Sequence, residues 1–135
     1  MIRVLMIDGD RVLTQSVAIA CVESGVAIRI AETLCEGVRY VLEFPVSVVL
    51  VDADILRLSG SDRIGLFDTV APGLPIVALT RPDARVEDQV RLELQGFQLV
   101  AKPFNVTDVL AKVQLARRAP MARPDAASRV ETVCG

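Results

Sequence analysis

The chain has 135 residues, of which 52% are hydrophobic, and a formal net charge of −2. This length suits one domain with its own core, and the slightly acidic balance argues against direct contact with nucleic acid or an anionic membrane. Because the chain contains no histidine, histidine-based general-base catalysis, histidine metal ligands and a phosphohistidine donor are excluded.

No segment approaches the run of about 18 apolar residues that a bilayer-spanning helix needs, and the first residues lack the pattern of a signal peptide. We therefore expect a cytoplasmic protein that contacts no membrane. The three cysteines, Cys21, Cys35 and Cys134, lie too far apart for a metal-ligand spacing. We expect them to be reduced thiols, with Cys21 and Cys35 acting as small apolar residues.

Residues 2–7 form an apolar stretch that predicts a buried strand, which ends at the acidic sequence Asp8-Gly9-Asp10. Asp10 is expected to cap the helix predicted over residues 11–24, which ends at the following glycine. Additional apolar residues on this helix indicate either that its neighbours cover it, the simpler interpretation, or that it has a partner-binding face. These additional residues are Val12, Ile19 and Val22.

Residues 26–31 predict a second strand, which we place near a sheet edge because Arg29 interrupts its apolar sequence. Thr33 and Glu36 then form the capping-box pattern of a second helix, and Pro45 must end it. The residues expected on its inward face are Leu34, Val38, Val41 and Leu42.

Residues 48–51 are four consecutive apolar residues, three of them β-branched, which predicts a strand buried on both faces. The strand ends at two carboxylates, Asp52 and Asp54, and a loop is expected to lead from there to Gly60. Residues 61–71 predict a third helix, which the following Pro-Gly pair ends.

Residues 75–79 predict a fourth buried strand that ends at Thr80. Asp83 is expected to cap a fourth helix that runs to about residue 95. The apolar residues that make this helix amphipathic are Val86, Val90 and Leu94.

Residues 97–101 predict a fifth strand that ends at Lys102, and a last helix with a period of about 3.6 residues begins at Val106. From residue 119 onward this periodicity is lost. We therefore expect residues 1–118 to form the domain and residues 119–135 to form a disordered tail or linker.

Five strands that alternate with five helices predict an α/β fold, an open and doubly wound parallel sheet with helices on both faces. The carboxyl ends of parallel strands share one edge of such a sheet. We therefore expect Asp8, Asp52, Thr80 and Lys102 to converge there, with Asp54 close by.

These converging groups fit phosphoryl transfer. Neighbouring carboxylates repel each other unless a cation lies between them, and hard oxygen ligands without histidine or cysteine favour Mg²⁺. Asp52 is a competent nucleophile, Thr80 can donate a hydrogen bond to a phosphoryl oxygen, and Lys102 can neutralise its charge. Lys102 is one of only two lysines beside thirteen arginines, which makes this compact charge at a strand end significant.

The order of these residues resembles the receiver domain of two-component response regulators. The matching motifs are Ile7-Asp8, Val51-Asp52 with Gly60 eight residues on, Leu79-Thr80 and Lys102-Pro103-Phe104. Over residues 1–118 the resemblance implies a flavodoxin-like fold with sheet order 2-1-3-4-5. It also implies that Asp52 accepts a phosphoryl group from a histidine kinase or phosphotransfer protein, and that Thr80 and Lys102 sense this group.

The resemblance further implies Mg²⁺ bound by Asp8, Asp52 and the backbone carbonyl of Asp54, and a cis peptide bond between Lys102 and Pro103. By the same analogy, the fourth helix, fifth strand and fifth helix form a surface for homodimerisation or a partner. The resemblance also implies that the protein is not an enzyme. It is expected to be an acceptor that catalyses its own phosphorylation from the donor and its own dephosphorylation slowly at most.

Several positions depart from the usual receiver pattern. Gly9 replaces the second acidic residue after the first strand, a direct metal ligand in the family, so Mg²⁺ binding is expected to be weaker or rescued by Asp10. Leu99 replaces the usual aromatic switch residue, and Leu56 replaces a common proline. Arg81 replaces the small residue after the threonine and is expected either to crowd the entrance or to contact a phosphate.

Other functions agree with parts of the pattern. If Gly9 disables the metal site, the chain is a pseudo-receiver that acts through protein–protein contacts without phosphorylation. The stretch Asp8-Gly9-Asp10 also resembles the nucleophile motif of haloacid-dehalogenase-type phosphatases, although the second acid pair here precedes the lysine instead of following it. A flavin-binding flavodoxin is excluded, because an acidic loop is electrostatically unsuited to the flavin phosphate.

Overall fold

The computed structural model describes residues 2–58 and 61–118. The strands are β1 (Arg3–Ile7), β2 (Ala27–Ala31), β3 (Val48–Asp52), β4 (Ile76–Thr80) and β5 (Gln98–Ala101). The helices are α1 (Arg11–Glu23), α2 (Leu34–Glu43), α3 (Ala53–Leu58), α4 (Ser61–Val70), α5 (Val86–Leu94) and α6 (Val106–Arg118). The strands are parallel in the order β2-β1-β3-β4-β5, which confirms the predicted α/β fold. Gly60 and the tail predicted over residues 119–135 lie outside the described residues.

Alternate side chains of the central strands enter two cores, one on each face of the sheet. On one face, Ile7 and Val51 belong to a cluster with side chains of α2, α3, α4 and α5, among them Phe67. On the other face, Met6 and Leu50 pack with side chains of α1 and α6. Because side chains of a strand alternate between its faces, the same strands serve both cores, and helices cover both faces as predicted.

A short helix replaces the loop predicted after β3. The chain passes from Asp52 directly into α3, and Leu56 of this helix is buried in the core. The prediction was wrong because a helix of six residues has fewer than two turns, too few to show a helical period. With α3 included, the predicted partner surface consists of α5, β5 and α6.

The fourth predicted helix, now α5, begins later and faces differently than expected. Its N-cap is Arg85 instead of Asp83, and Leu92 is the residue that it buries. The predicted apolar stripe is exposed instead. It consists of Val86, Val90 and Leu94. Apolar spacing defines one face of a helix, but it does not say whether that face meets the sheet or the solvent.

Exposed apolar side chains also lie on α1 and α2. Val12, Ile19 and Val22 of α1 are 61% to 80% exposed, so the interpretation of a helix covered by its neighbours is wrong. Leu42 of α2 was expected to face inward and is exposed as well. Within residues 2–58 and 61–118, no helix combines the length and hydrophobicity that crossing a membrane requires.

The two cysteines within the described residues differ in environment. Cys21 is buried between α1 and the sheet, as expected for a small apolar residue, and burial raises the pKa of its thiol. Cys35 is exposed, contrary to the expectation, because it occupies the solvent side of the first turn of α2. Cys134 lies outside the described residues.

Side-chain caps fix the starts of α1 and α2. Asp10 Oδ1 accepts hydrogen bonds at 3.1 and 3.2 Å from two N–H groups of the first turn of α1, which confirms its predicted role. Thr33 Oγ1 accepts the N–H of Glu36 at 3.2 Å, and the Glu36 carboxylate accepts the N–H of Glu32 at 3.1 Å. A cap of this kind stabilises a helix by about 1 kcal/mol, so Asp10 is already committed to a structural role.

Gly37 determines how closely α2 approaches β1. A methyl group at this position would collide with the Ile7 side chain and lie 3.5 Å from Phe67. Overpacking costs roughly 1–3 kcal/mol, whereas replacing glycine in a helix returns about 1 kcal/mol. We therefore expect Gly37→Ala to lower the free energy of unfolding by about 1 kcal/mol, as measured by urea denaturation followed by circular dichroism.

The matched control is Gly9→Ala, because a Cβ at Gly9 meets no atom within 4 Å. This variant should show no comparable loss. An unfolding free energy of Gly37→Ala equal to or above that of the parent chain would contradict the close approach of α2 to β1.

Candidate functional site

Side chains from three strand ends meet at the carboxyl edge of the sheet. Asp8 follows β1, Asp52 ends β3 and Lys102 follows β5. Lys102 Nζ lies 2.7 Å from Asp8 Oδ2 and 3.4 Å from Asp52 Oδ1. One ammonium group therefore bridges two carboxylates, and the structure brings these three residues together as the sequence predicted. Their chemical roles remain predictions.

The two carboxylates differ in how completely they are bonded. Asp8 is 3% exposed; its Oδ1 accepts the N–H of Asp10 at 3.0 Å and its Oδ2 accepts Lys102. The Asp52 side chain is more open, at 18% exposed, and its Oδ1 accepts both the N–H of Asp54 and Lys102 at 3.4 Å. No described residue donates a hydrogen bond to Asp52 Oδ2, so this oxygen is available for a reaction.

Burial and charge set the protonation of the site. Burial, opposed by the charge of Lys102, raises the pKa of the Asp52 carboxyl, and the nearby Asp8 and Asp54 carboxylates add to the rise. Burial also disfavours the ammonium form of Lys102, but the hydrogen bond to Asp8 and the attraction of both carboxylates outweigh it and raise the Lys102 pKa. Lys102 is therefore a permanent cation at neutral pH.

Thr80 ends β4 beside this group. Its side chain is buried, and its hydroxyl donates to the carbonyl oxygen of Val100 at 3.4 Å. The backbone carbonyl of Thr80 accepts the N–H of Lys102 at 2.7 Å. This bond joins the end of β4 to the start of the connection between β5 and α6. The cis peptide bond predicted between Lys102 and Pro103 is present. Thr80 is thus at the predicted place, with its hydroxyl engaged by β5.

Asp54 belongs to a second group of charges, which it forms with Arg57, Arg81 and Asp83 on the more exposed side of the site. We call this side the mouth of the site. The Asp54 carboxylate pairs with Arg81 Nε at 3.3 Å and with Arg57 Nε at 3.6 Å, and Arg81 also lies 3.7 Å from Asp83 Oδ1. The sequence did not indicate Arg57, because α3, the helix that carries it, was predicted as a loop. Only the turn of α3 places Arg57 on the same side as Asp54.

A cavity of about 780 Å³ opens next to this charged group. Residues of α3, of the connection between β4 and α5, and of α5 line it, among them Arg57, Arg81, Asp88 and Leu92. Leu99, at the position of the usual aromatic switch, is partly buried against the core on this face of the sheet. The cavity therefore links the mouth of the site to α5.

The residues at the site fit a weak magnesium site. Asp8 and Asp52 supply hard oxygen ligands of the kind that Mg²⁺ prefers, but Lys102 already neutralises part of their charge. Gly9 leaves open space at the usual place of a further ligand, and Asp10 is engaged as the cap of α1. Accordingly, no cluster of three or more potential metal-ligating side chains occurs among the described residues.

Comparison with known proteins places these features in a family context. The family model described as the response regulator receiver domain matches residues 4–114. The probable transcriptional regulatory protein TcrX of Mycobacterium tuberculosis is 29% identical over 131 residues, which cover 96% of this chain and 56% of TcrX. This chain therefore spans about half the length of that relative.

Solved structures agree in fold. A response regulator protein from Burkholderia pseudomallei, solved with a phosphorylated aspartic acid, a calcium ion and citrate, matches with a TM-score of 0.70 at 25% identity; the match covers 98% of this chain and 72% of that chain. The beryllofluoride-activated receiver domain dimer of NtrC4 matches with a TM-score of 0.73 at 24% identity, covering 86% of this chain and 96% of that chain.

The raised pKa of Asp52 makes a prediction about stability. A carboxyl whose pKa is higher in the folded than in the unfolded chain contributes stability that is present below the unfolded value and is lost as pH rises through the folded value. We therefore expect Asp52→Asn to raise the melting temperature at about pH 7 in buffer with a metal chelator, and this gain to disappear near pH 3, below the usual carboxyl pKa.

Melting curves at both pH values test this expectation. Asp83→Asn serves as the control, because it also removes a carboxylate at the mouth of the site but one that is largely exposed, so no comparable gain is expected. A lower melting temperature for Asp52→Asn at about pH 7 would show that attraction to Lys102 outweighs the burial of Asp52.

Proposed function

The chain belongs to the response regulator receiver domain family of two-component signalling, and from this premise we propose that Asp52 is its phosphoacceptor. The donor is a histidine kinase or a phosphotransfer protein. The observation that carries this proposal is the bridged pair of carboxylates, in which Lys102 binds Asp8 and Asp52 while Asp52 Oδ2 has no donor among the described residues.

In the proposed reaction, Asp52 Oδ2 attacks the phosphorus atom of a phosphohistidine. The new oxygen–phosphorus bond forms as the phosphorus–nitrogen bond breaks, and the leaving imidazole takes up a proton from solvent. Lys102, fixed by Asp8, offers positive charge to the phosphoryl oxygens without reorganisation. The Thr80 hydroxyl, which now donates to Val100, turns to donate to a phosphoryl oxygen.

Asp8, Asp52 and the backbone carbonyl of Asp54 are the proposed ligands of Mg²⁺, as the family pattern implies. When bound, the ion supplies positive charge that stabilises the transferring phosphoryl group. The protein's own residues have two roles in this proposal. The Asp54 N–H and Lys102 hold the Asp52 carboxylate in place, and Asp8 keeps Lys102 charged. The chain acts as an acceptor and hydrolyses its own acyl phosphate slowly, in the cytoplasm, and does not turn over a separate substrate.

The output of the proposed reaction passes through a partner or a second copy of the chain. The surface of α5, β5 and α6 is the proposed contact, because Val86, Val90 and Leu94 expose an apolar stripe along α5. No direct contact with nucleic acid is proposed for this part of the protein. The proposed partners therefore are the phosphodonor on one side and an apolar protein surface on the other.

A pseudo-receiver remains the second candidate, because Gly9 removes a carboxylate from the metal site and Asp10 is engaged elsewhere. Such a protein would bind its partners without being phosphorylated. The phosphatase alternative has no comparable support, since the family match covers residues 4–114 and the order of acids and lysine along the chain differs from that of the phosphatases.

Incubation with acetyl phosphate and Mg²⁺ tests the proposal. We expect the intact mass to rise by one phosphoryl group, and we expect Asp52→Asn to abolish the increase because it removes the nucleophile. Asp54→Asn is the matched control: it lies two residues away, keeps its backbone N–H and should still be labelled. No adduct under conditions that label an ordinary receiver would favour the pseudo-receiver.

Gly9→Asp tests the assignment of the metal site. The new carboxylate enters open space and adds a third anionic ligand, so we expect Mg²⁺ to bind about tenfold more tightly or better, a gain of roughly 1.4 kcal/mol. Isothermal titration calorimetry measures this affinity, and Gly9→Asn is the uncharged control of the same size. An unchanged affinity in Gly9→Asp would show that the ion does not bind beside residue 9.

A further inference from the structure

Arg81 is a charged residue near the acceptor Asp52, and the proposed reaction does not use it. It follows Thr80 directly, at the edge of the sheet where the acceptor lies. Its side chain is 58% exposed and bonded only loosely, at 3.3 Å to Asp54 and 3.7 Å to Asp83. Exposed ion pairs of this kind contribute about 0–1 kcal/mol, so Arg81 can leave these partners at little cost.

Asp54 does not depend on Arg81 alone. Its Oδ1 lies 3.6 Å from Arg57 Nε, while its Oδ2 faces Arg81. One arginine therefore remains with Asp54 if the other moves away. The carboxylate at the mouth of the site has two cations, and the acceptor carboxylate Asp52 shares a single cation with Asp8.

Arg81 is also near enough to reach a group on Asp52. In the sheet, Asp52 of β3 pairs with Leu79 of β4. Arg81 lies two residues after Leu79, just beyond the end of β4. With strands about 4.8 Å apart and a rise of about 3.3 Å per residue, the two Cα atoms are roughly 8 Å apart. Arg81 now binds the carboxylate of Asp54. Asp54 is itself close to the acceptor, because its N–H lies 3.4 Å from Asp52 Oδ1.

Phosphorylation would change the balance of charge at this point. A phosphoryl group adds roughly −1.5 to −2 charges and three acceptor oxygens, at a site where one lysine already faces two carboxylates. A guanidinium binds phosphate with two parallel hydrogen bonds, which is stronger and more specific than an exposed pair with a carboxylate. Gly9 increases the need for a further cation, because it weakens the metal site.

We infer that Arg81 is a phosphoryl-binding residue of this chain. It pairs with Asp54 while Asp52 is unmodified and moves to the phosphoryl oxygens once Asp52 is phosphorylated, leaving Asp54 with Arg57. The inference rests on the proposed function and adds a ligand for the phosphoryl group to it. Because Arg81 lines the cavity beside α5, its movement also changes the wall of this cavity, in a chain that has Leu99 instead of an aromatic switch residue.

Beryllofluoride, a mimic of the phosphoryl group, tests the inference without hydrolysis of the acyl phosphate. Its affinity for the folded chain is measured by fluorine NMR titration in the presence of Mg²⁺. We expect Arg81→Ala to weaken binding at least about tenfold, because a charge-assisted bidentate contact is lost, and Arg81→Lys to restore part of it. Arg57→Ala is the matched control, since it removes the other cation from Asp54 and keeps Arg81. Because an exposed ion pair contributes little, its affinity should fall by less than about fivefold.

A second measurement observes Arg81 itself. The Nε–H signal of Arg81, assigned by its loss in Arg81→Lys, should shift on addition of beryllofluoride or on phosphorylation by acetyl phosphate. A chain that gains phosphoryl mass but shows no shift of this signal overturns the inference and leaves the proposed function intact. So does an equal loss of affinity in Arg57→Ala and Arg81→Ala. A parent chain that neither gains phosphoryl mass nor binds beryllofluoride overturns both.

Discussion

The contact of Lys102 with Asp8 and Asp52 is the interaction on which the site depends. Two carboxylates at the ends of adjacent strands repel each other, and burial makes that repulsion stronger than in water. Lys102 removes it by binding both, at 2.7 and 3.4 Å. One cation against two anions still leaves the site negative, so an anionic phosphoryl group requires additional positive charge from outside this trio.

The frame that holds this trio is a sheet buried on both faces. Successive residues of β1 and β3 alternate between the two cores. A shift of one residue in register would therefore move each side chain from one core to the other. The observed register pairs Ile7 with Val51, which puts the two aspartates that follow these residues at the same level. Packing energy spread over the whole sheet therefore fixes the distance between two side chains.

The departures from the receiver pattern change the charge of the site in one direction. Gly9 removes a negative charge from the usual metal site, and Arg81 adds a positive charge where a small residue is usual. Asp54 and Asp83 hold that positive charge at the mouth of the site in the present structure. For the proposed phosphorylation of Asp52, both departures favour a site in which the protein's own cations carry more of the charge of the phosphoryl group, consistent with the weak donor set for Mg²⁺.

The sequence alone determined the fold and the convergence of Asp8, Asp52 and Lys102, because apolar runs that alternate with helical patterns allow one arrangement of parallel strand ends. It also determined the cap at Asp10, a local interaction. Only the tertiary structure decided that α3 exists, that Arg57 and Arg81 share Asp54, and that the apolar stripe of α5 faces solvent. Short helices lack a readable period, and the ion pairs of Asp54 depend on how two separate segments, α3 and the connection after β4, meet. An amphipathic pattern does not identify the surface that covers it.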